Sequence, residues 1–149
     1  MRLLERDPVL ASLRQYAHEA GQGEGRLVLI AGEAGVGKSV LVEQFQRDLP
    51  DALWSWGACD GLSTPRPLAP LFDLARDLGG ALEDLCRGRP ERDELFAALL
   101  RQVTSDDRLD VIVIEDIHWA DEATLDLMRF LTRRIRAASV LVIATYRGD

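Results

Sequence analysis

The chain has 149 residues, of which 47% are hydrophobic and 29% charged, with a formal net charge of -7. That length fits one ordinary domain, able to bury roughly two-thirds of its unfolded surface, and the acidic balance argues against non-specific attraction to nucleic acid or an anionic membrane. Two cysteines, Cys59 and Cys86, are too few for a disulfide framework; "MRLLERDPVL" has no apolar h-region, and no apolar run approaches the ~18 residues that span a bilayer, so the expected location is cytoplasmic.

In chain order, Asp7-Pro8 reads as an N-cap followed by Pro at the first helical position. The helix is expected to reach about Ala20, with Val9, Leu10, Leu13 and Ala17 on one face and "GQGEG" as its stop. "RLVLIA" is a short continuous apolar strand, "GEAGVGKS" a Gly-rich turn, and "VLVEQFQRDL" a helix ended by Pro50. "ALWSWGA" alternates and is aromatic, which predicts a second strand, and "CDGLSTPRPLAP" reads as a loop with three prolines. Helical patterns follow in "LFDLARDL" and, after "GRP", in "ERDELFAALLRQV". The strand "VIVI" runs into an acidic turn, then a helix of about Thr124 to Arg136 and a last strand, "VLVIAT". Strands alternating with helices predict an α/β fold: a mostly parallel, buried sheet flanked by helices on both faces.

The Gly-rich turn carries the sharpest chemistry. Gly32-Glu33-Ala34-Gly35-Val36-Gly37-Lys38-Ser39 fits the phosphate-loop pattern G-x-x-x-x-G-K-[ST] without a mismatch. Glycines let successive N–H groups turn into one concavity that takes phosphate oxygens, and the following helix adds its positive end. Residues Gly32 to Ser39, with Val40 next to them, are therefore the candidate nucleotide-binding segment; Glu33 and Val36 contribute backbone amides rather than side chains. Lys38 is expected on the β- and γ-phosphates and Ser39 on Mg²⁺. Of 18 basic residues, 17 are Arg and Lys38 is the single Lys, a compact point charge where one is needed. Its uniqueness also excludes guanine recognition of the N-K-x-D kind, which requires a second Lys.

In "VIVIEDIHWAD", an apolar strand ends in adjacent acids, Glu115 and Asp116. Desolvated carboxylates require a partner, and a strand parallel to the first would bring them to the phosphate loop, at the carboxyl edge where open α/β sheets bind ligands. Both are candidate Mg²⁺ residues with Ser39; by order, Glu115 is the metal-side acid and Asp116 the one that orients or deprotonates the attacking water. Asp121, ahead of "EATLDLM", fits a helix N-cap. His118 and Trp119 either border the site or pack beside it. If the last strand lies between the other two, Thr145 and Arg147 end beside the γ-phosphate; otherwise Arg147 is an exposed loop residue.

The segments "LLERDPVLASL", "LVLIAGEAGVGKSVLVEQF", "WGACD", "PLAPLFDL", "VIVIEDIHWADEATLDLMRFL" and "VLVIATYRGD" together resemble the AAA-type ATPase modules of the STAND class. They are most similar to the module heading large ATP-binding regulators of the LuxR family. The resemblance implies a P-loop NTPase that binds ATP and Mg²⁺ as a switch, with Asp116 and Lys38 serving hydrolysis and Arg147 on the γ-phosphate. It implies partners in ATP or ADP, the rest of a parent regulator and further copies of the chain, without direct nucleic-acid or membrane contact. The segment around Leu4 and Arg6 would lie near the adenine, although Glu5 stands where relatives commonly have Gly, and Glu115 stands where many have Asp. The family core would add a fifth strand, a helical lid, a winged-helix region and C-terminal effector regions, so residues 1–149 are expected to be an incomplete P-loop ATPase domain. A small-molecule kinase and a nucleotide-binding scaffold without turnover are the alternative readings.

Overall fold

A computed structural model describes residues 6–32, 37–61, 66–105 and 108–147. Helix α1 (Arg6–Gly21) leads into β1 (Arg26–Gly32), and α2 (Lys38–Asp48) into β2 (Leu53–Ala58). Three helices follow, α3 (Ala69–Leu78), α4 (Gly80–Cys86) and α5 (Arg92–Val103), then β3 (Asp110–Glu115), a 3-10 turn at Ile117–Trp119, α6 (Glu122–Arg134) and β4 (Val140–Arg147). The four strands form one parallel sheet in the order β1-β4-β3-β2, so the last strand does lie between the first and the acidic one.

The residue pattern accounts for this layering. Val111 to Ile114 and Val140 to Ala144 have essentially no exposed surface, as continuous apolar runs in central parallel strands should. Side chains alternate across the pleat. Val111, Val113, Leu141 and Ile143 meet Leu10, Leu13 and Ala17 of α1 and Leu41, Val42 and Phe45 of α2 on one face. Ile112, Ile114, Val140, Val142 and Ala144 meet α3 to α6 through Leu71, Leu74, Leu82, Leu99, Leu127 and Leu131 on the other. Each such leucine contributes about 1.5–3 kcal/mol of burial. The architecture is the α/β, P-loop NTPase-like one, with helices on both faces of the sheet.

The expected helix of Thr124 to Arg136 begins and ends two residues earlier, at Glu122 and Arg134. Helix α4 was not expected. Gly79 (φ 63) and Gly80 (φ 65) break the chain after α3, and seven residues are too few to display a periodicity. A single side chain from α5 holds the junction: Gln102 Nε2 donates to the carbonyls of Leu78 (3.2 Å) and Gly79 (2.8 Å), and its Oε1 accepts from Leu82 N–H at 3.0 Å. Glu91 and Glu94 form a reciprocal capping box at the start of α5. No helix among the described residues is long and apolar enough to cross a membrane.

Candidate functional site

All four strands run parallel, so their carboxyl ends gather on one edge of the sheet. The register pairs Gly32 with Arg147 and Ala58 with Glu115, and the chain turns outward at that row. Glu115 follows the alternation of Val111 and Val113, which places it on the face covered by α1 and α2. Ser39 stands in the first turn of α2, on the same face. The Ser39 hydroxyl donates to Glu115 Oε2 at 2.7 Å, across 76 residues of sequence.

Gly37 takes a left-handed conformation (φ 84, ψ 31) as N-cap of α2, a requirement that glycine meets without steric cost. Helix α2 has no acidic residue in its own first turn, and its N-terminal end carries a partial positive charge. Lys38 Nζ donates to the Gly32 carbonyl at 2.7 Å, spanning the turn from its far side. The Val40 side chain is exposed. Glu33, Ala34, Gly35 and Val36 lie outside the described residues, as does Leu4.

The acidic turn is fixed by its backbone. Asp116 is left-handed (φ 61, ψ 48), one of two non-glycine residues with positive φ among those described; for an L-residue that conformation costs about 1–2 kcal/mol. Its N–H donates to Thr145 Oγ1 at 3.1 Å, and its carbonyl accepts from Trp119 N–H at 2.9 Å. On the opposite side the Glu115 carbonyl accepts from Cys59 N–H at 2.9 Å. Burial first, then the carboxylates of Asp121, Asp116 and Asp73, push the Cys59 thiol up to about 12.

Several of the contacts were not legible in the sequence. His118 Nδ1 accepts from Arg147 N–H at 3.2 Å, tying the 3-10 turn to the end of β4. Gly61 lies on the indole of Trp119, where a Cβ would come within 3.0 Å of the ring. Asp121 occupies the N-cap position of α6 with extended φ and ψ, yet makes no side-chain bond to that helix's backbone. Its carboxylate instead accepts from the Thr124 hydroxyl and from the N–H of Leu68, the second left-handed residue. Apart from the Asp121–Thr124 pair, three residues apart, these join residues that no local periodicity relates; the one sequence signal was a cluster of polar and aromatic residues at strand ends.

Ser39 Oγ and Glu115 Oε2 are hard oxygen donors of the kind Mg²⁺ accepts together with phosphate oxygens and water. Among the described residues no group of three or more His, Cys, Asp and Glu side chains makes a metal site alone. The row of Gly32, Lys38, Ser39, Glu115, Asp116 and Arg147 thus brings phosphate-type and metal-type donors to one edge.

Residues 2–143 match the family model described as an AAA ATPase domain. An uncharacterized protein of Rhizobium meliloti is 26% identical over a match covering 97% of this chain and 18% of that protein. Among solved structures, Cdc6p of Pyrobaculum aerophilum superposes with a TM-score of 0.71 at 20% identity, covering 97% of this chain and 40% of that one. The Aeropyrum pernix ORC2 protein, solved as ADPNP–ADP complexes, gives 0.70 at 16% identity, covering 99% and 42%. The chain spans about two-fifths of those two structures and under one-fifth of the Rhizobium protein.

Proposed function

The chain belongs to the AAA ATPase domain family, and on that premise we propose that it binds Mg²⁺–ATP and serves as a slowly hydrolysing switch module of a larger cytoplasmic regulator of the STAND class, of the kind heading LuxR-family transcription regulators. The observation that carries the reading is the 2.7 Å contact between Ser39 Oγ and Glu115 Oε2. It joins the hydroxyl of the phosphate loop to the acid of a separate strand, a pairing that a merely structural Gly-rich turn does not need. That ORC2 structure supports a nucleotide by analogy, since it holds ADPNP and ADP.

In this reading the N–H groups from Gly32 to Val40 cradle the phosphates. Lys38 moves its ammonium from the Gly32 carbonyl to the β- and γ-oxygens. Ser39 and Glu115 hold the metal side, and Asp116 orients the attacking water and accepts its proton. Arg147, opposite Gly32 in the register, lies at the γ-phosphate end. Mg²⁺, if held by Ser39 and Glu115, would supply positive charge to offset that of the phosphate oxygens. The placement of β4 between β1 and β3 favours a switch over a small-molecule kinase, in most of which the acidic strand neighbours the phosphate-loop strand.

Calorimetric titration of ATP with and without Mg²⁺ tests this on wild type and Lys38→Ala. Wild type binds more tightly with Mg²⁺, and the variant loses at least tenfold in affinity. A wild type that binds no nucleotide, or a variant that binds equally well, removes the reading. Phosphate release measured on the same wild-type sample separates a switch with turnover from a scaffold without it.

A further inference from the structure

We propose that Thr145 is a positioning residue that sets the direction of the Asp116 carboxylate, by clamping the peptide bond that joins the two acids. The inference rests on the nucleotide reading for its functional consequence, but its geometry stands by itself.

The peptide unit between Glu115 and Asp116 carries the carbonyl of the first and the N–H of the second. Both ends are held, each from a different neighbouring strand. On the β2 side the carbonyl accepts from Cys59 N–H at 2.9 Å. On the β4 side the N–H donates to Thr145 Oγ1 at 3.1 Å. The first clamp is a main-chain bond, which almost any residue at position 59 supplies. The second is a side-chain bond, which at this place needs a hydroxyl.

A side chain is required there because the β3–β4 ladder has ended: its last paired residues are Ile114 and Ala144. Asp116 has already turned to φ 61 and ψ 48, so its N–H has left the line of the strand. Thr145 is suited to receive it. It is 1% exposed, and it sits at the end of a central strand, opposite Ile30 of β1. Its β-branched side chain has few χ1 states, so the hydroxyl is held in one direction. A buried hydroxyl also has a strong demand for a partner, which makes the bond mutually enforcing.

With Glu115 held as the last residue of β3, a change in its ψ leaves its own Cβ in place, whereas a change in φ of Asp116 turns the Asp116 side chain relative to the strand. Left-handed backbone lies uphill for aspartate; without the clamp, relaxation to right-handed or extended φ is favoured. Thr145 therefore acts on the water side, through Asp116, without touching the nucleotide.

Thr145→Val removes the hydroxyl and keeps the shape, Thr145→Ser keeps the hydroxyl, and Thr145→Ala serves in place of Val should that variant not fold. The first readout, amide hydrogen exchange at Asp116 by NMR on the nucleotide-free chain, needs no ligand. Exchange is slow in wild type and Thr145→Ser and at least fivefold faster in Thr145→Val, as expected for loss of one hydrogen bond of about 1 kcal/mol. The second readout is phosphate release at saturating Mg²⁺–ATP set against the ATP dissociation constant. Thr145→Val keeps the dissociation constant within about twofold and lowers release at least fivefold, and Thr145→Ser restores it. Equal Asp116 exchange in wild type and Thr145→Val, unchanged phosphate release, or no rescue by Ser overturns the proposal. Failure of wild type to bind or turn over ATP instead removes the nucleotide reading, and the exchange measurement alone then decides the clamp.

Discussion

Asp116 differs from Glu115 in backbone as well as in side-chain length. Its left-handed φ of 61 is a conformation that aspartate and asparagine adopt more readily than other residues with a Cβ. Asp116→Asn therefore removes the charge and basicity without disturbing the turn. The expected outcome is ATP affinity within about threefold of wild type and phosphate release lowered at least tenfold, in line with the range of general-base contributions; equal turnover in the variant would move the base elsewhere. At this scale, sequence motifs find residues whose chemistry is tied to local spacing. Gly32, Lys38 and Ser39 sit in one such pattern, and the Glu115–Asp116 pair ends an apolar run that has no other use for charge. Thr145 and His118 are reached only through contacts 29 residues apart, which no local pattern encodes. The sequence did mark Thr145 as a polar strand end, but as a residue beside the γ-phosphate and not as the acceptor for Asp116 N–H.

Among the elements, the long ones were legible because each buries a continuous face. Helix α1 displays Leu10, Leu13 and Ala17 at helical spacing, and β3 is apolar from Val111 to Ile114. Helix α4 is different: its stability comes from a neighbour. Gln102 of α5 satisfies two carbonyls at the end of α3 and one N–H at the start of α4, groups that the helix ends themselves leave unpaired. Gln102→Leu keeps a similar volume and removes all three bonds. The expected cost is about 2–3 kcal/mol, set by the desolvated groups left behind rather than by lost packing. It should appear as a lower urea midpoint together with faster amide exchange at Leu82. A variant as stable as wild type would mean that water replaces Gln102 without loss.

At the level of the whole sheet, the strand order resolves a condition that the sequence left open, since β4 carries an apolar pattern compatible with a place on either side of β3. The order also makes the two edges unlike. At β2, α3 closes the edge: Asp77 and Asp73, one helical turn apart, accept from the N–H groups of Trp56 (2.8 Å) and Ala58 (3.1 Å). Gly57 permits this approach, since a Cβ would lie 2.5 Å from the Pro70 carbonyl. Blocking an edge with side-chain carboxylates is a known guard against strand addition. At β1 no helix among the described residues plays that part: Leu29 is 53% exposed in the middle of the strand, while its neighbour Ile30 is buried. An apolar side chain on an edge strand favours association between chains, and a lysine at the same position opposes it. Wild type is therefore expected to show concentration-dependent association in sedimentation velocity, and Leu29→Lys to reduce it at least fivefold. Because Leu29 is mostly in solvent, the variant should keep its unfolding free energy within about 0.5 kcal/mol, so that a change in association cannot be a consequence of misfolding. A wild type that stays monomeric over the whole concentration range, or a Leu29→Lys that associates just as strongly, would assign any contact between copies to a surface other than β1.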